Sequence, residues 1–216
     1  MKIILDFGSG ETCKNDRREV EAMLRRLSVA DNGKHELIVK WQLFSEFGEL
    51  LPLRRGLFAH AVDVARGYGY ETTASVFDIE SLWFLQQFNV PFVKIACIPD
   101  LYDDLMDSAG RIGYWETPLV VSVPDSQTFQ EMKRKGCQPM CCVREYPATA
   151  GEYSRRFAPD ELSAGISDHT TTGFLCSQYR PDLYEIHYCL PDQTGPDTKE
   201  FSRRPDDIVE ILEGLQ

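Results

Sequence analysis

No stretch of this chain approaches the roughly 20 consecutive apolar residues that cross a bilayer. The opening Met1-Lys2-Ile3-Ile4-Leu5-Asp6 is too brief an apolar run for a secretory leader and meets an acid at once. A soluble, cytoplasmic protein with no membrane partner is therefore expected. Positive charge is also scarce, with 23 Lys and Arg against 34 Asp and Glu and a net charge of −11. Such a surface repels nucleic acid. An anionic small molecule would need lysines and arginines gathered locally in a cleft. The seven cysteines are odd in number and contain no CxxC pair. That argues against a disulfide framework or a zinc ribbon and for reduced, mostly buried thiols. Neither GxGxxG nor GxxxxGK[ST] occurs, so the usual nucleotide-binding turns of open α/β sheets are missing.

What is present is alternation. Short β-rich apolar runs fall at Ile3–Phe7, Leu37–Leu43, Glu71–Phe77, Phe92–Cys97, Leu119–Val123, Met140–Arg144, Ala164–Ser167 and Leu183–Tyr188. Segments of helical period separate them. Val20, Met23, Leu24 and Leu27 make one apolar face, Leu57, Ala61, Val64 and Ala65 another, and Ile208, Ile211 and Leu212 the last. Runs such as Phe92-Val93-Lys94-Ile95-Ala96 lack a clean polar alternation, the habit of parallel strands covered on both faces. Eight strand–helix units predict a single domain over 1–216, a compact (β/α)8 TIM barrel with short helices and lean loops.

Polar residues unusual for a core collect at the predicted C-terminal strand ends, where such barrels build their sites. They are Asp6; Lys40 and Gln42; Ser75 and Asp78; Lys94 and Cys97; Ser122; Arg144 and Tyr146; Ser167, Asp168 and His169; and His187, with Asp197 in the following loop. His169 and His187 fall on neighbouring strands, where two imidazoles can hold one divalent ion; two hydrogen-bonded structural histidines fit the spacing as well. Lys40, Lys94 and Arg144 put positive charge into one mouth. Either each pairs with an acid such as Asp6 or Asp78, or together they face a multiply anionic ligand.

The motifs resemble those of the sialic acid synthase family, enzymes that condense phosphoenolpyruvate with an N-acetylated sugar. Val39-Lys40-Trp41-Gln42 is similar to the family's VKFQ strand. Phe77-Asp78-Ile79-Glu80-Ser81 with Phe84-Leu85 is similar to its FDxES…FL segment, with Val90-Pro91 and Lys94-Ile95-Ala96 following. Tyr146-Pro147, Gly165-Ile166-Ser167-Asp168-His169, and His187 with Gly195-Pro196-Asp197 and Phe201-Ser202 resemble the remaining pieces in order. Cys97 stands where the family has serine, Pro99 where it has an acid, and Arg144 where it has a small polar residue or asparagine.

The resemblance implies a divalent metal, Mn2+ or Mg2+, on His169 and His187. It implies phosphoenolpyruvate on Lys94, Ser122 and Ser167, with Lys40 close by and Ser75 and Arg144 adding contacts. The sugar would fall on Gln42, Tyr146 and Asp197. Asp6, Lys40 and Asp197 are the expected catalytic groups. Relatives commonly carry a C-terminal antifreeze-like domain through which they pair; this chain ends at Gln216, just beyond the last predicted barrel helix. A barrel without that domain is expected, with a homodimer or a monomer both open. The alternatives are a diverged barrel with other aldolase or keto-sugar synthase chemistry, and a ligand-binding barrel without turnover.

Overall fold

The structure, a computed structural model, describes residues 1–111 and 117–215. It opens with β1 (Lys2–Asp6), α1 (Arg17–Ala30), β2 (Glu36–Leu43), α2 (Arg55–Gly67), β3 (Glu71–Val76) and α3 (Ile79–Leu85). It continues with β4 (Val93–Ile95), α4 (Tyr102–Arg111), β5 (Leu119–Val123), α5 (Ser126–Arg134) and β6 (Gln138–Cys142). Then come α6 (Ala150–Arg156), α7 (Pro159–Ala164), β7 (Gly165–Asp168), α8 (Phe174–Tyr179), β8 (Leu183–His187) and α9 (Pro205–Gly214). Each strand pairs in parallel with the next, and β8 pairs with β1, closing the barrel in the order β1 to β8. The predicted (β/α)8 barrel is what forms.

Two predicted strands end two residues earlier than expected. The fourth leaves the ladder after Ile95, because Ile98 N–H turns back to the Ala96 carbonyl at 2.7 Å. The sixth starts two residues earlier, at Gln138, and stops at Cys142, so Val143 and Arg144 lie beyond it. Pro139 is tolerated near the strand's first residue, where a missing N–H interrupts little of the ladder.

Side chains alternate across a strand with a period of two, and here the two faces have different compositions. Outward positions such as Ile3, Leu5, Val39, Trp41, Val121 and Ile186 join the large core beneath the helices, which includes Val20, Met23, Leu24 and Leu27 of α1. Inward positions divide by height. Ile4, Ile38, Phe92, Val120, Met140 and Leu183 form a separate apolar plug at the lower end. Two residues further along each of these strands, the inward side chain is polar or a thiol: Asp6, Lys40, Lys94, Ser122, Cys142 and Glu185. The plug keeps the barrel shut below, and the polar layer opens above it.

Candidate active site at the barrel mouth

Register sets the layer. Asp6 lies opposite Lys40 on one side and His187 on the other; Gln42 faces Ser75, Ser75 faces Lys94, and Ser167 faces Glu185. Above them is a cavity of about 240 Å3. Asp6, Lys40, Gln42, Ser75, Lys94, Ser122, Arg144, Tyr146, Ser167, His169 and His187 all line it. Asp197, in the loop after β8, is not part of that lining but supports it, 3.1 Å from Gln42 Nε2 and 3.2 Å from His187 Nδ1. The residues expected from sequence thus converge on one volume. Asp78 does not join them. It caps α3, its carboxylate accepting from Ser81 N–H at 2.7 Å and Ser45 N–H at 2.6 Å, so it pairs with no mouth lysine.

The acids that do are Asp6, as expected, and Glu185. Lys94 Nζ donates to its Oε1 at 2.6 Å and Ser167 Oγ at 2.8 Å, while Lys40 Nζ lies 3.4 Å from Oε2. Lys40 also donates to Asp6 Oδ2 at 2.6 Å and Ser75 Oγ at 2.9 Å. All four charged side chains are buried. Burial works to raise the Glu185 carboxyl, but Lys40 and Lys94 overcome it and hold it far below the usual carboxylate range. Asp6 is likewise held low: burial opposes its charge, and Lys40 and His187 prevail. Burial depresses the Lys94 amine despite Glu185. Glu185 shares the inward parity of Leu183 and His187 on β8, and that period-two row is the signal that identifies it.

His169 is fixed by its Nδ1, which donates to the Val143 carbonyl at 2.5 Å, leaving Nε2 as a lone pair 3.3 Å from Ser167 Oγ. Burial and then His187 lower its affinity for a proton to about pKa 3, so the ring is neutral. For His187 burial also works against charge, but Asp6 and Asp197 raise its pKa above the ordinary value. The two rings are 5.3 Å apart, centre to centre. Tyr146 packs 4.2 Å from His169 and Phe201 5.0 Å from His187. Tyr146 is half exposed and Arg144 exposed, so both stand at the rim. Asp168, between Ser167 and His169, points the other way, accepting from Tyr184 OH and Thr170 N–H at 2.7 Å each.

The imidazoles suit a divalent ion in tautomer: a carbonyl holds the N–H of His169, and carboxylates flank Nδ1 of His187, the outer-shell pattern of metal-ligating histidines. No third His, Cys, Asp or Glu joins them in a metal-holding group among the described residues. An ion there would keep positions for water and ligand. Two buried polar atoms here, Ser122 Oγ and Asp197 Oδ2, lack a hydrogen-bond partner. Buried groups of this kind are ordinarily satisfied, so these two atoms are free to bond a water or a ligand.

Gly8 positions Asp6. Its φ of +74° is a conformation that suits glycine, and its N–H donates to Asp6 Oδ1 at 2.9 Å. A Cβ there would stand 2.2 Å from Thr12 Oγ1 and 2.9 Å from Asp197 Oδ2.

No family model matches the chain, and no curated protein does. Solved structures do. N-acetylneuraminic acid synthetase of Leptospira borgpetersenii superposes with a TM-score of 0.76 at 19% identity, over 98% of this chain and 81% of that one. A spore coat polysaccharide biosynthesis protein of Bacillus subtilis gives 0.73 at 20% identity, over 99% and 66%. A truncated 3-deoxy-D-arabino-heptulosonate 7-phosphate synthase of Thermotoga maritima gives 0.66 at 11%, over 100% and 86%. The fold of this chain is the barrel that these three proteins share.

Proposed function

We propose that the chain joins phosphoenolpyruvate to an aldose, forming a carbon–carbon bond as in sialic acid synthesis. The observation that carries this reading is the mouth itself: two buried lysines and the partnerless hydroxyl of Ser122 sit beneath two imidazoles in one small cavity. A phosphorylated enol acid matches such a set of donors, since ammonium groups and hydroxyls bind phosphate and carboxylate oxygens through charge-assisted bonds.

In this reading Lys94, Ser122 and Ser167 hold the phosphate and Lys40 the carboxylate, with Ser75 fixing Lys40 and Arg144 closing over the rim. Gln42, Tyr146 and Asp197 face the sugar. C3 of the enol acid attacks the aldehyde carbon, water adds at C2, and phosphate leaves. Asp6 and Asp197 hold sugar hydroxyls or take the proton of the attacking water. A divalent ion on His169 and His187 would polarise the aldehyde as a Lewis acid. Alignment of the two reactants over the plug supplies much of the rate.

The test is phosphate release from phosphoenolpyruvate with Mn2+ and a panel of aldoses. Release with an N-acetylhexosamine is expected; no release with any aldehyde would overturn the reading. A second reading draws on Lys94, whose amine is buried and depressed. Such an amine suits Schiff-base chemistry of an aldolase, and borohydride trapping of a keto-sugar on Lys94 would favour it.

A further inference from the structure

The ladder between β7 and β8 ends at the Asp168–Ile186 pair. His169 and His187 come next in the chain, so no bond of that ladder fixes one imidazole against the other. Arg203, two residues before α9, spans the gap from behind the mouth. Its N–H donates to the His187 carbonyl at 2.8 Å and its own carbonyl accepts from Cys189 N–H at 3.0 Å, which lays it along the end of β8. Its guanidinium then reaches the segment that follows His169. Nη2 donates to the Thr170 carbonyl and Nη1 to the Thr171 carbonyl, both at 2.7 Å. One residue thus grips the main chain beside both rings. Arg203 is 5% exposed, and its Nε lacks a hydrogen-bond partner. Among the described residues no carboxylate lies within ion-pair distance of it; Asp168 acts on it only from further off. Burying a cation without a close counter-charge is unfavourable, so a mere filler of that space would be apolar. The guanidinium contributes a rigid fork of donors that meets two successive carbonyls at once, which a lysine ammonium does not reproduce.

We propose that Arg203 is a positioning residue for the imidazole pair: its fork ties the backbone after His169 to the backbone of β8 at His187, and so sets the 5.3 Å between the ring centres. This role rests on the two rings forming one site for a divalent ion, as proposed for the condensation. Arg203 then governs how firmly the rings grip an ion. It leaves the anion contacts of Lys94 and Ser122, on β4 and β5 across the barrel, as they are.

Two variants of the whole chain test this, each checked for its fold by circular dichroism. Arg203→Lys keeps the charge and loses the fork; Arg203→Ala loses both. Mn2+ affinity, read from the paramagnetic resonance signal of the free ion, should fall at least about tenfold in each, the usual cost of removing an outer support of a metal-binding histidine. Affinity for inorganic phosphate in metal-free buffer should stay within about twofold, because Lys94 and Ser122 share no partner with Arg203. Arg203 lines a cavity of about 450 Å3 between α8 and α9, whose lining residues Thr171, Phe174 and Glu210 are exposed. Guanidinium ion at millimolar concentration can enter there in Arg203→Ala and should restore most of the Mn2+ affinity, whereas ammonium should not. A readout without metal is the two-bond proton–nitrogen spectrum of the histidine rings. It should show His169 as one tautomer, protonated on Nδ1, in the unsubstituted chain and as both tautomers in Arg203→Lys. Unchanged Mn2+ affinity in a folded variant, or phosphate affinity lost in step with it, would overturn the proposal. An unsubstituted chain that binds no Mn2+ would remove the metal site of the condensation, and a single His169 tautomer in Arg203→Lys would then dismiss the role of Arg203 separately.

Discussion

A carboxylate enclosed by two ammonium groups is a strong constraint on the side chains around it. Removing one member of a buried ion pair typically costs about 3–5 kcal/mol, because the other charge is left without compensation. Glu185→Gln should therefore destabilise the barrel by about 3 kcal/mol in urea at pH 7, and it should weaken phosphate binding by displacing Lys94. His169 sets a pH dependence of its own in metal-free buffer. Its folded pKa of about 3 lies below the ordinary 6.5, so the unfolded chain binds the proton more readily. The stability linked to it is complete above about pH 6.5 and falls as pH drops toward 3, by about 1.4 kcal/mol per pH unit. Asp6 and Glu185, both held low, add to that loss below their ordinary values of 3.8 and 4.5. His187, raised, contributes stability at low pH that disappears as pH rises through its folded value. Urea melts between pH 6 and 4 check this: His169→Gln should flatten the slope.

Much of this layer was legible in the sequence, since His169, His187, Lys40 and Lys94 are conspicuous at strand ends. Glu185 was not, because a glutamate two residues before His187 looks like any other until strand parity turns it inward.

At the scale of elements, the mouth depends on turns that hold the strand tips. Asp78 closes the first turn of α3 and also ties down Ser45, at the base of the loop bearing Phe47. Asp78→Ala should cost about 1 kcal/mol, the usual value of an N-cap, and should raise the KM for the acceptor more than it lowers kcat, because Phe47 lines the cavity. Gly8→Ala should be harsher, since the added methyl meets both Thr12 and Asp197. Loss of acceptor binding with the barrel still folded, seen by circular dichroism, is the expected outcome. Strand positions were readable from the recurring apolar runs. Their ends were less so, because the carbonyl that stops β4 is a local turn rather than a change in composition.

The described strands form a closed ring with no free edge among them, and its seam lies between β8 and β1. Outside that seam α9 packs on α1, burying Ile208 and Leu212. Cutting the chain after Arg204 should expose the α1 face and abolish the single cooperative unfolding transition, measured by far-ultraviolet circular dichroism in urea. The ring was readable as a count of strand–helix units, whereas the polarity gradient along its axis needed coordinates.

That gradient has an electrical consequence. At the cavity floor Lys40 and Lys94 are matched by Asp6 and Glu185, so the enclosed charge sums to zero before anything arrives. A doubly negative guest would unbalance it, and a poorly hydrated interior tolerates little excess charge. Entry must therefore be accompanied, either by protons drawn from solution or by a cation. Titration calorimetry of inorganic phosphate in two buffers of unlike ionisation heat should register proton uptake, and a divalent ion should abolish it. Such an outcome would make the mouth a turnstile that admits opposite charges together.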